Sequence, residues 1–242
     1  MNDGIGDGPG AGEQRGPAQA NAPLSRGYLL LELLGVFLAL FAGGLVFYAS
    51  GYRGAGEDYW DLASVVATAL TDVGFCLLVW VLLTRREVFD WKLPRTGSAW
   101  AKELGWGIVL LIVANRVAWV VGLVLEGLGA EVAGGSEGAW PTTAAVAAFC
   151  LITPIIGLGE ELLFRVYVQT RLTQVLRGQR VLPVFICAVL FALVHGYGAY
   201  HAFQVGAFGL VLGISYQANG KIPRLVIAHT LNNLVVGLFS LM

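Results

Sequence analysis

The run LGWGIVLLIVANRVAWVVGLVL, residues 104–125, decides the class of fold that this chain can adopt, because Arg116 is its only charged residue. An α-helix crosses the hydrocarbon core of a bilayer with ~20 mostly apolar residues, so this run predicts a transmembrane helix. Further apolar runs lie at 28–49, 60–83, 141–159, 181–200, 202–217 and 222–241. The sequence therefore predicts an all-α fold, a polytopic transmembrane helix bundle with about seven spans.

The composition of the whole chain agrees with a lipid environment. The chain has 242 residues, of which 57% are hydrophobic and only 13% are charged, whereas a soluble domain carries roughly twice that charged fraction. A net charge of -1 gives no basic surface for nucleic acid. We therefore expect membrane lipid as a partner and no nucleic acid.

The distribution of basic residues predicts the orientation of the bundle. Lys and Arg are concentrated in the connections at 84–103, 160–180 and 217–224, and they are absent from 126–140 and 196–201. Because basic connections stay on the cytoplasmic side, we predict a multi-pass protein of the cell membrane with its N-terminus in the cytoplasm and its C-terminus outside.

Three regions follow from this pattern. Residues 1–27, which are rich in Gly, Pro and Ala, predict a disordered N-terminal tail. Residues 28–139 predict a set of N-terminal transmembrane helices that carry few polar residues. Residues 140–242 predict a C-terminal transmembrane core in which most of the polar chemistry is gathered.

Ionisable residues inside apolar runs are costly in lipid and indicate function. Asp72 and Arg116 are each isolated in such a run, and either could pair with the other or with a charge of a site. A denser group lies in the C-terminal core: Glu160, Glu161, Arg165, His195, His201, His229 and Asn233.

The spacing of Glu160, Glu161 and Arg165 suggests two different roles for adjacent carboxylates. On a helix, Glu161 and Arg165 share a face and can form an ion pair, whereas Glu160 points ~100° away and can serve another purpose. The alternative is the end of a helix at the membrane surface with solvated charges.

The histidines allow a site between helices. His229 and Asn233 share one face of the last predicted helix, where their donors need partners; contacts between helices are the alternative. If the chain turns near Gly178, Glu160 and His195 reach similar depths. His195 alone, like His201, is also compatible with an interfacial position, and His201 with a supporting role beside the site.

Three motifs occur in order along the C-terminal core. They are Glu160-Glu161-x-x-x-Arg165, Phe191-x-x-x-His195 and His229-x-x-x-Asn233, each in an apolar helix. Together they resemble the CPBP intramembrane protease family, which includes the type II CAAX prenyl endopeptidases and bacterial abortive-infection or bacteriocin-immunity proteins. The resemblance covers roughly 140–241, and it extends to Phe208-Gly209, Gly213, Tyr216 and Gly220.

The resemblance implies an intramembrane endopeptidase with a protein or peptide substrate. By motif, Glu160 would be the catalytic carboxylate and His195 would help it to activate water. His229 and Asn233 would stabilise the oxyanion, while Glu161 and Arg165 would hold the site in shape. These residues match the needs of amide hydrolysis, namely a base, an acid and donors for a developing oxyanion.

Zinc is an open question, since members of this family are often described as metalloproteases. Glu160, His195 and His229 could bind Zn with one open position. The H-E-x-x-H spacing of many zinc peptidases is absent, however, and the motifs also suit a metal-free mechanism with glutamate-activated water. We favour the metal-free mechanism.

Two other functions compete with a peptidase. A non-catalytic immunity or interaction protein would sequester a peptide or partner in the same cavity, without cleaving it. A small transporter would use Asp72, Arg116 and the glutamates as a relay, but the chain has no strong internal repeat.

Overall fold

The computed structural model describes residues 24–49, 62–84, 92–130, 142–195 and 198–239. Within these residues the secondary structure is helical throughout, and no strand is present. Most of the predicted 1–27 tail lies outside the described residues, and the first helix begins at Arg26. The helices are α1 (Arg26–Ala49), α2 (Leu62–Thr84), α3 (Gly97–Gly127), α4 (Thr143–Glu161), a π-helical segment (Leu162–Gln169), α5 (Thr170–Val175), α6 (Val181–Val194), α7 (Ala199–Asn219) and α8 (Ile222–Phe239).

The helices follow the apolar runs, with two differences. α3 begins before its apolar run, because the hydroxyl of Thr96 caps it by accepting a hydrogen bond from the backbone N of Ala99 at 3.2 Å. The run 181–200 does not form a single helix. α6 ends at Val194 and α7 begins at Ala199, on either side of a glycine-containing connection.

The membrane character of the chain is supported, but the number of spans is not confirmed. Within the described residues, two helices are long and apolar enough to cross a bilayer, Gly97–Gly127 and Thr143–Val175, the second formed by α4, the π-helical segment and α5. Two further apolar stretches, Ala69–Leu82 within α2 and Val181–Val194, are shorter. Large apolar side chains on α3, among them Trp106, Ile112 and Trp119, are exposed, as expected for a surface that faces lipid.

Two glycines near the end of α4 bring its neighbours close. A Cβ atom at Gly157 would lie 3.0 Å from the hydroxyl of Thr230 on α8, and one at Gly159 would lie 3.1 Å from the carbonyl oxygen of Asp72 on α2. Small residues permit this close packing of helices. α2 and α8 therefore both contact the turn of α4 that leads into Glu160.

The π-helical segment continues α4 without a break, and all eight of its side chains are buried. Arg165 Nη2 donates a hydrogen bond to the carbonyl of Gly209 at 3.2 Å, and Gln169 Nε2 donates one to the carbonyl of Gly213 at 3.0 Å. Both acceptors lie on α7. The segment is thus fixed against α7, and single π-helical turns of this kind are frequent at functional sites.

The chain turns at Gly178, as the comparison of the depths of Glu160 and His195 assumed, and again at Gly220. Gly178 and Gly220 adopt positive φ values of 79° and 63°, a backbone conformation that favours glycine. Gly220 N donates to the carbonyl of Tyr216 at 2.7 Å and closes α7. α6 consequently runs back along the π-helical segment and packs on α7, whereas α8 runs back along α3 and α4.

Candidate active site

Glu160 lies at the end of α4, between two histidines from other helices. Its Oε2 atom is 3.7 Å from Nε2 of His195, which follows α6, and 3.6 Å from Nε2 of His229 on α8. The side chains of Glu160 and His195 are each 20% exposed, whereas that of His229 is 4% exposed. Three of the four side chains predicted to be catalytic therefore meet, and the group is open on the side of Glu160 and His195.

Glu161 lies at the other ring nitrogen of His229, and each of its carboxylate oxygens is near a basic side chain. Its Oε1 accepts a hydrogen bond from Nδ1 of His229 at 2.9 Å, and its Oε2 lies 3.2 Å from Nε of Arg165. The side chains of Glu161 and Arg165 are both fully buried. The ion pair expected from their spacing is present, and it supports His229 from behind.

The partners of the two histidines determine which ring nitrogen carries hydrogen. Nδ1 of His195 lies 2.7 Å from the carbonyl oxygen of Phe191, which can only accept. Nδ1 of His229 likewise faces the carboxylate of Glu161. In the neutral ring, Nε2 of each histidine therefore offers a lone pair toward Glu160.

The oxygen at the centre of this group lacks a donor. Glu160 Oε2 is buried and has no hydrogen-bond partner among the described residues. A buried acceptor in this state is costly. Since Nε2 of His195 and of His229 are also acceptors in the neutral ring, the arrangement suits a molecule that donates, such as water.

Aromatic rings hold both imidazoles in place. The ring centroid of Phe191 lies 4.6 Å from that of His195 and 5.9 Å from that of His229, both edge-to-face. Phe208 packs on His229 at 5.7 Å. The guanidinium of Arg165 lies over Phe191, 4.8 Å from its centroid. The ring of Phe191 therefore contacts the buried guanidinium and both imidazoles.

Asn233, the fourth residue predicted to be catalytic, lies one turn beyond His229 on α8 and is half-buried. Its Oδ1 accepts a hydrogen bond from Nδ2 of Asn232 at 3.5 Å. Within the described residues Asn233 makes no hydrogen bond to Glu160 or His229. The structure places it beside the group without direct contact to these side chains.

Asp72 is an acidic residue whose place sequence reasoning left open. It is 5% exposed, and its Oδ2 is buried without a hydrogen-bond partner among the described residues. It packs against Gly159 and interacts electrostatically with Glu160. Arg116, the other alternative partner, is exposed on α3 and lies 5.9 Å from the ring of Trp119. Asp72 therefore belongs beside the site, and it does not pair with Arg116.

Two contacts of His201 are with residues of α7 itself. Its Nδ1 lies 3.3 Å from Oε1 of Gln204, and its ring packs on Tyr200 at 5.2 Å. Both residues lie near the end of α7 that follows the connection from α6. An interfacial position and a supporting role beside the site both stay predictions for His201.

The donor types of the group, a carboxylate and two imidazoles, suit zinc. Within the described part of the chain, no three or more His, Cys, Asp and Glu side chains are gathered so that they could hold a metal ion. The metal-free mechanism expected from the sequence stays a prediction.

Fold and site together define a helical membrane protein with a glutamate and two histidines converging in its interior. The family model described as type II CAAX prenyl endopeptidase Rce1-like matches residues 140–235, a range that contains all three motifs. This match confirms the family resemblance for the C-terminal core, and it supports a protease that acts on a protein or peptide in a membrane. No curated protein and no solved structure matches the chain.

Proposed function

We propose that this protein is an intramembrane endopeptidase that hydrolyses a peptide bond with water activated by Glu160 and His195. The observation that carries the proposal is the convergence of Glu160 Oε2 with Nε2 of His195 and Nε2 of His229, at 3.7 and 3.6 Å. A carboxylate and two imidazoles in a partly closed pocket are suitable groups for general acid–base catalysis of amide hydrolysis.

In the proposed reaction, a water molecule bound at Glu160 gives its proton to that carboxylate and attacks the substrate carbonyl. Glu160 then passes the proton to the nitrogen of the leaving amine as the C–N bond breaks. His195 assists the removal of the proton, since its Nδ1 is held by the Phe191 carbonyl and its Nε2 faces Glu160. The pocket opens on this side, which gives water and substrate a way in.

His229 and Asn233 are proposed to stabilise the oxyanion of the tetrahedral intermediate. An oxyanion needs donors that are already in place when the charge develops. His229 becomes such a donor when its Nε2 carries a proton, and the carboxylate of Glu161 at Nδ1 favours that charged ring. Arg165 in turn holds Glu161. Glu161 and Arg165 are thus positioning residues that act through His229.

We propose a metal-free mechanism, in which no step uses zinc. The support is the absence of the H-E-x-x-H spacing of many zinc peptidases from the sequence, together with the buried Oε2 of Glu160, to which a bound water can donate. The measurement is the zinc content of the purified protein, with activity assayed after chelation and after zinc is restored. One zinc per chain, with activity that follows its removal and return, would overturn the metal-free mechanism.

For the orientation, we propose the N-terminus in the cytoplasm and the C-terminus outside. The support is the basic character of the connections at 84–103, 160–180 and 217–224. Labelling of single cysteines introduced at the two termini, in intact and in opened cells, tests this topology. A C-terminal cysteine that is labelled only in opened cells contradicts it.

The test of the function uses purified protein in lipid nanodiscs and two quenched peptides, a prenylated peptide that ends in a CAAX sequence and its unprenylated form. We expect cleavage of at least one peptide by the unaltered protein and none by Glu160→Gln, which keeps the size of the side chain and loses the base. The thermal unfolding midpoint of the variant should match that of the unaltered protein.

A second experiment covers a substrate of other chemistry. The proteome of membranes that carry the active protein is compared with that of membranes that carry Glu160→Gln, and precursors should accumulate in the latter. Cleavage by Glu160→Gln at the normal rate would falsify the assignment. A phenotype that survives Glu160→Gln but is lost when Ala192→Trp fills the pocket would instead indicate a protein that sequesters its partner.

A further inference from the structure

Three asparagine side chains form a chain of hydrogen bonds that ends at Asn233. Asn115 on α3 donates from Nδ2 to Oδ1 of Asn232 on α8 at 3.1 Å, and Asn232 donates from Nδ2 to Oδ1 of Asn233 at 3.5 Å. Asn115 Nδ2 also donates to the backbone carbonyl of Leu111 at 2.9 Å. The chain links the exposed side of α3 to the face of α8 that carries His229.

The carbonyl of Leu111 sets the direction of every amide in this chain. A backbone carbonyl only accepts, so the atom of Asn115 that faces it must be the nitrogen. That nitrogen also faces Asn232, which must therefore present its oxygen to Asn115 and its nitrogen to Asn233. Asn233 then uses its oxygen toward Asn232.

This orientation leaves the nitrogen of the Asn233 amide on the side away from Asn232. Its Nδ2 group has no acceptor among the described residues, and the side chain is only half-buried. Both N–H bonds of Asn233 are thus available to a ligand beside His229. A reversed chain would present the amide oxygen there, which repels an oxyanion instead of stabilising it.

We infer that Asn115 and Asn232 are positioning residues that hold the Asn233 amide with its N–H groups turned to the reacting carbonyl. This inference rests on the proposed function, because it names the residues that orient Asn233, the proposed oxyanion donor. Neither residue belongs to the three motifs, and Asn115 comes from a helix outside the range that matches the family.

The first test compares kcat for Asn233→Ala, Asn232→Leu and Asn115→Leu on whichever of the two peptides the unaltered protein cleaves faster. Removal of an oxyanion donor lowers kcat by about 10²–10³. Asn233→Ala should show that loss, and Asn115→Leu, which only loosens the donor, should lower kcat by about tenfold with an unchanged KM. Tyr200→Phe is the matched control, since it removes a different hydrogen bond between α3 and a neighbouring helix, from Tyr200 on α7 to Glu126, and should leave kcat unchanged.

The second test reverses the direction of the chain. Asp at position 232 can accept from both neighbours but, when ionised, cannot donate. Asn232→Asp should therefore turn the oxygen of Asn233 toward the site and lower kcat as much as Asn233→Ala. If Asn232 were merely structural, Asn232→Asp would be milder than Asn232→Leu, because it keeps the bond to Asn115.

A double-mutant comparison separates orientation from general damage. In the Asn233→Ala background, Asn115→Leu and Asn232→Asp should lower kcat no further, because the group that they orient is gone. An effect of equal size in both backgrounds would overturn the inference, as would full kcat for Asn115→Leu. If the unaltered protein cleaves no more than Glu160→Gln does, the proposed function fails and the inference fails with it.

Discussion

α8 takes part in two polar clusters that differ in how completely their charges are paired. At its start, Arg224 Nε lies 2.7 Å from Oε2 of Glu103 on α3, and Lys221 Nζ lies 2.9 Å from Oε1 of the same carboxylate. Further along α8, Nε2 of His229 and Glu160 Oε2 are 3.6 Å apart, and that oxygen has no hydrogen bond among the described residues. The first cluster is closed and the second is open.

The difference separates a structural role at Glu103 from the catalytic role proposed for Glu160. Around Glu103, direct hydrogen bonds satisfy the charges, and the cluster joins α3 to the start of α8. Around Glu160, the protein holds acceptors near one another and leaves the donor out, an arrangement that is costly in a protein interior unless a ligand supplies what is missing. The same helix therefore carries an anchor at its start and the proposed reaction site one to two turns further on.

The largest effect is expected from a substitution in the open cluster around Glu160. His195→Ala should lower kcat by roughly 10²–10⁴, the usual contribution of a positioned acid or base. The thermal unfolding midpoint should stay unchanged, because the side chain is partly exposed and its removal leaves no buried charge. His201→Ala is the control, since it removes another half-buried histidine, which contacts Gln204 and Tyr200 on α7. Equal losses of kcat in His195→Ala and His201→Ala would contradict a catalytic role for the open cluster.

The next largest effect is expected from a substitution in the closed cluster around Glu103. Glu103→Leu leaves the mostly buried Arg224 without its carboxylate and should lower the free energy of unfolding by about 3 kcal/mol. Activity per folded molecule should remain normal, because no group near Glu160 has changed. Denaturation monitored by circular dichroism, together with kcat on the folded fraction, measures both quantities. Glu126→Gln, on the same helix and exposed, provides the comparison. A Glu103→Leu variant with normal stability and reduced kcat would show that Glu103 supports the group around Glu160 and does not anchor α3 to α8.

Asp72 should sharpen the comparison with a smaller effect. It is a buried carboxyl without an ion pair among the described residues, so Asp72→Asn removes an unfavourable group and should raise the unfolding midpoint. Because Asp72 interacts electrostatically with Glu160, we expect kcat to fall by about tenfold, which corresponds to ~1.4 kcal/mol of transition-state stabilisation. Lower stability with full activity would assign Asp72 to the frame of the bundle.

The smallest effect concerns the exposed edge of the closed cluster. The side chain of Lys221 is 41% exposed, so its ion pair with Glu103 is screened by solvent. Lys221→Gln should change the free energy of unfolding by less than ~1 kcal/mol and leave kcat unchanged. A loss as large as that of Glu103→Leu would show that Lys221, and not Arg224, carries the anchor.

The positions of the helices could be predicted from the sequence, because apolar length alone determines where a segment can be buried in lipid. The Glu161–Arg165 ion pair was also predictable, since both residues lie on one helix at a spacing that brings them together. Glu160, His195 and His229 were identified through the motifs that carry the family resemblance, and the structure brings these three together.

Contacts between helices distant in the chain could not be predicted in the same way. Asp72 was recognised as a buried acid, but nothing local indicates that α2 packs against Gly159 on α4. The bond from Asn115 to Asn232 depends on the rotation of α3 about its axis, which its nearly uniform apolar pattern does not define. The π-helical segment leaves no signal in composition, because its extra residue changes hydrogen bonding and not polarity.

The π-helical segment has a consequence for changes in the length of the chain. Deleting a single residue between Leu162 and Gln169 would let this stretch wind as an ordinary α-helix, because a π-helical turn holds about one residue more than an α-helical turn. The helix on either side would keep nearly the same orientation, so Arg171 would still face Glu32, its partner on α1 at 3.0 Å. The same deletion within α4, before Glu160, would instead turn one part of that helix by about 100° relative to the other. The stretch of this helix that best tolerates a one-residue deletion therefore lies directly after Glu160.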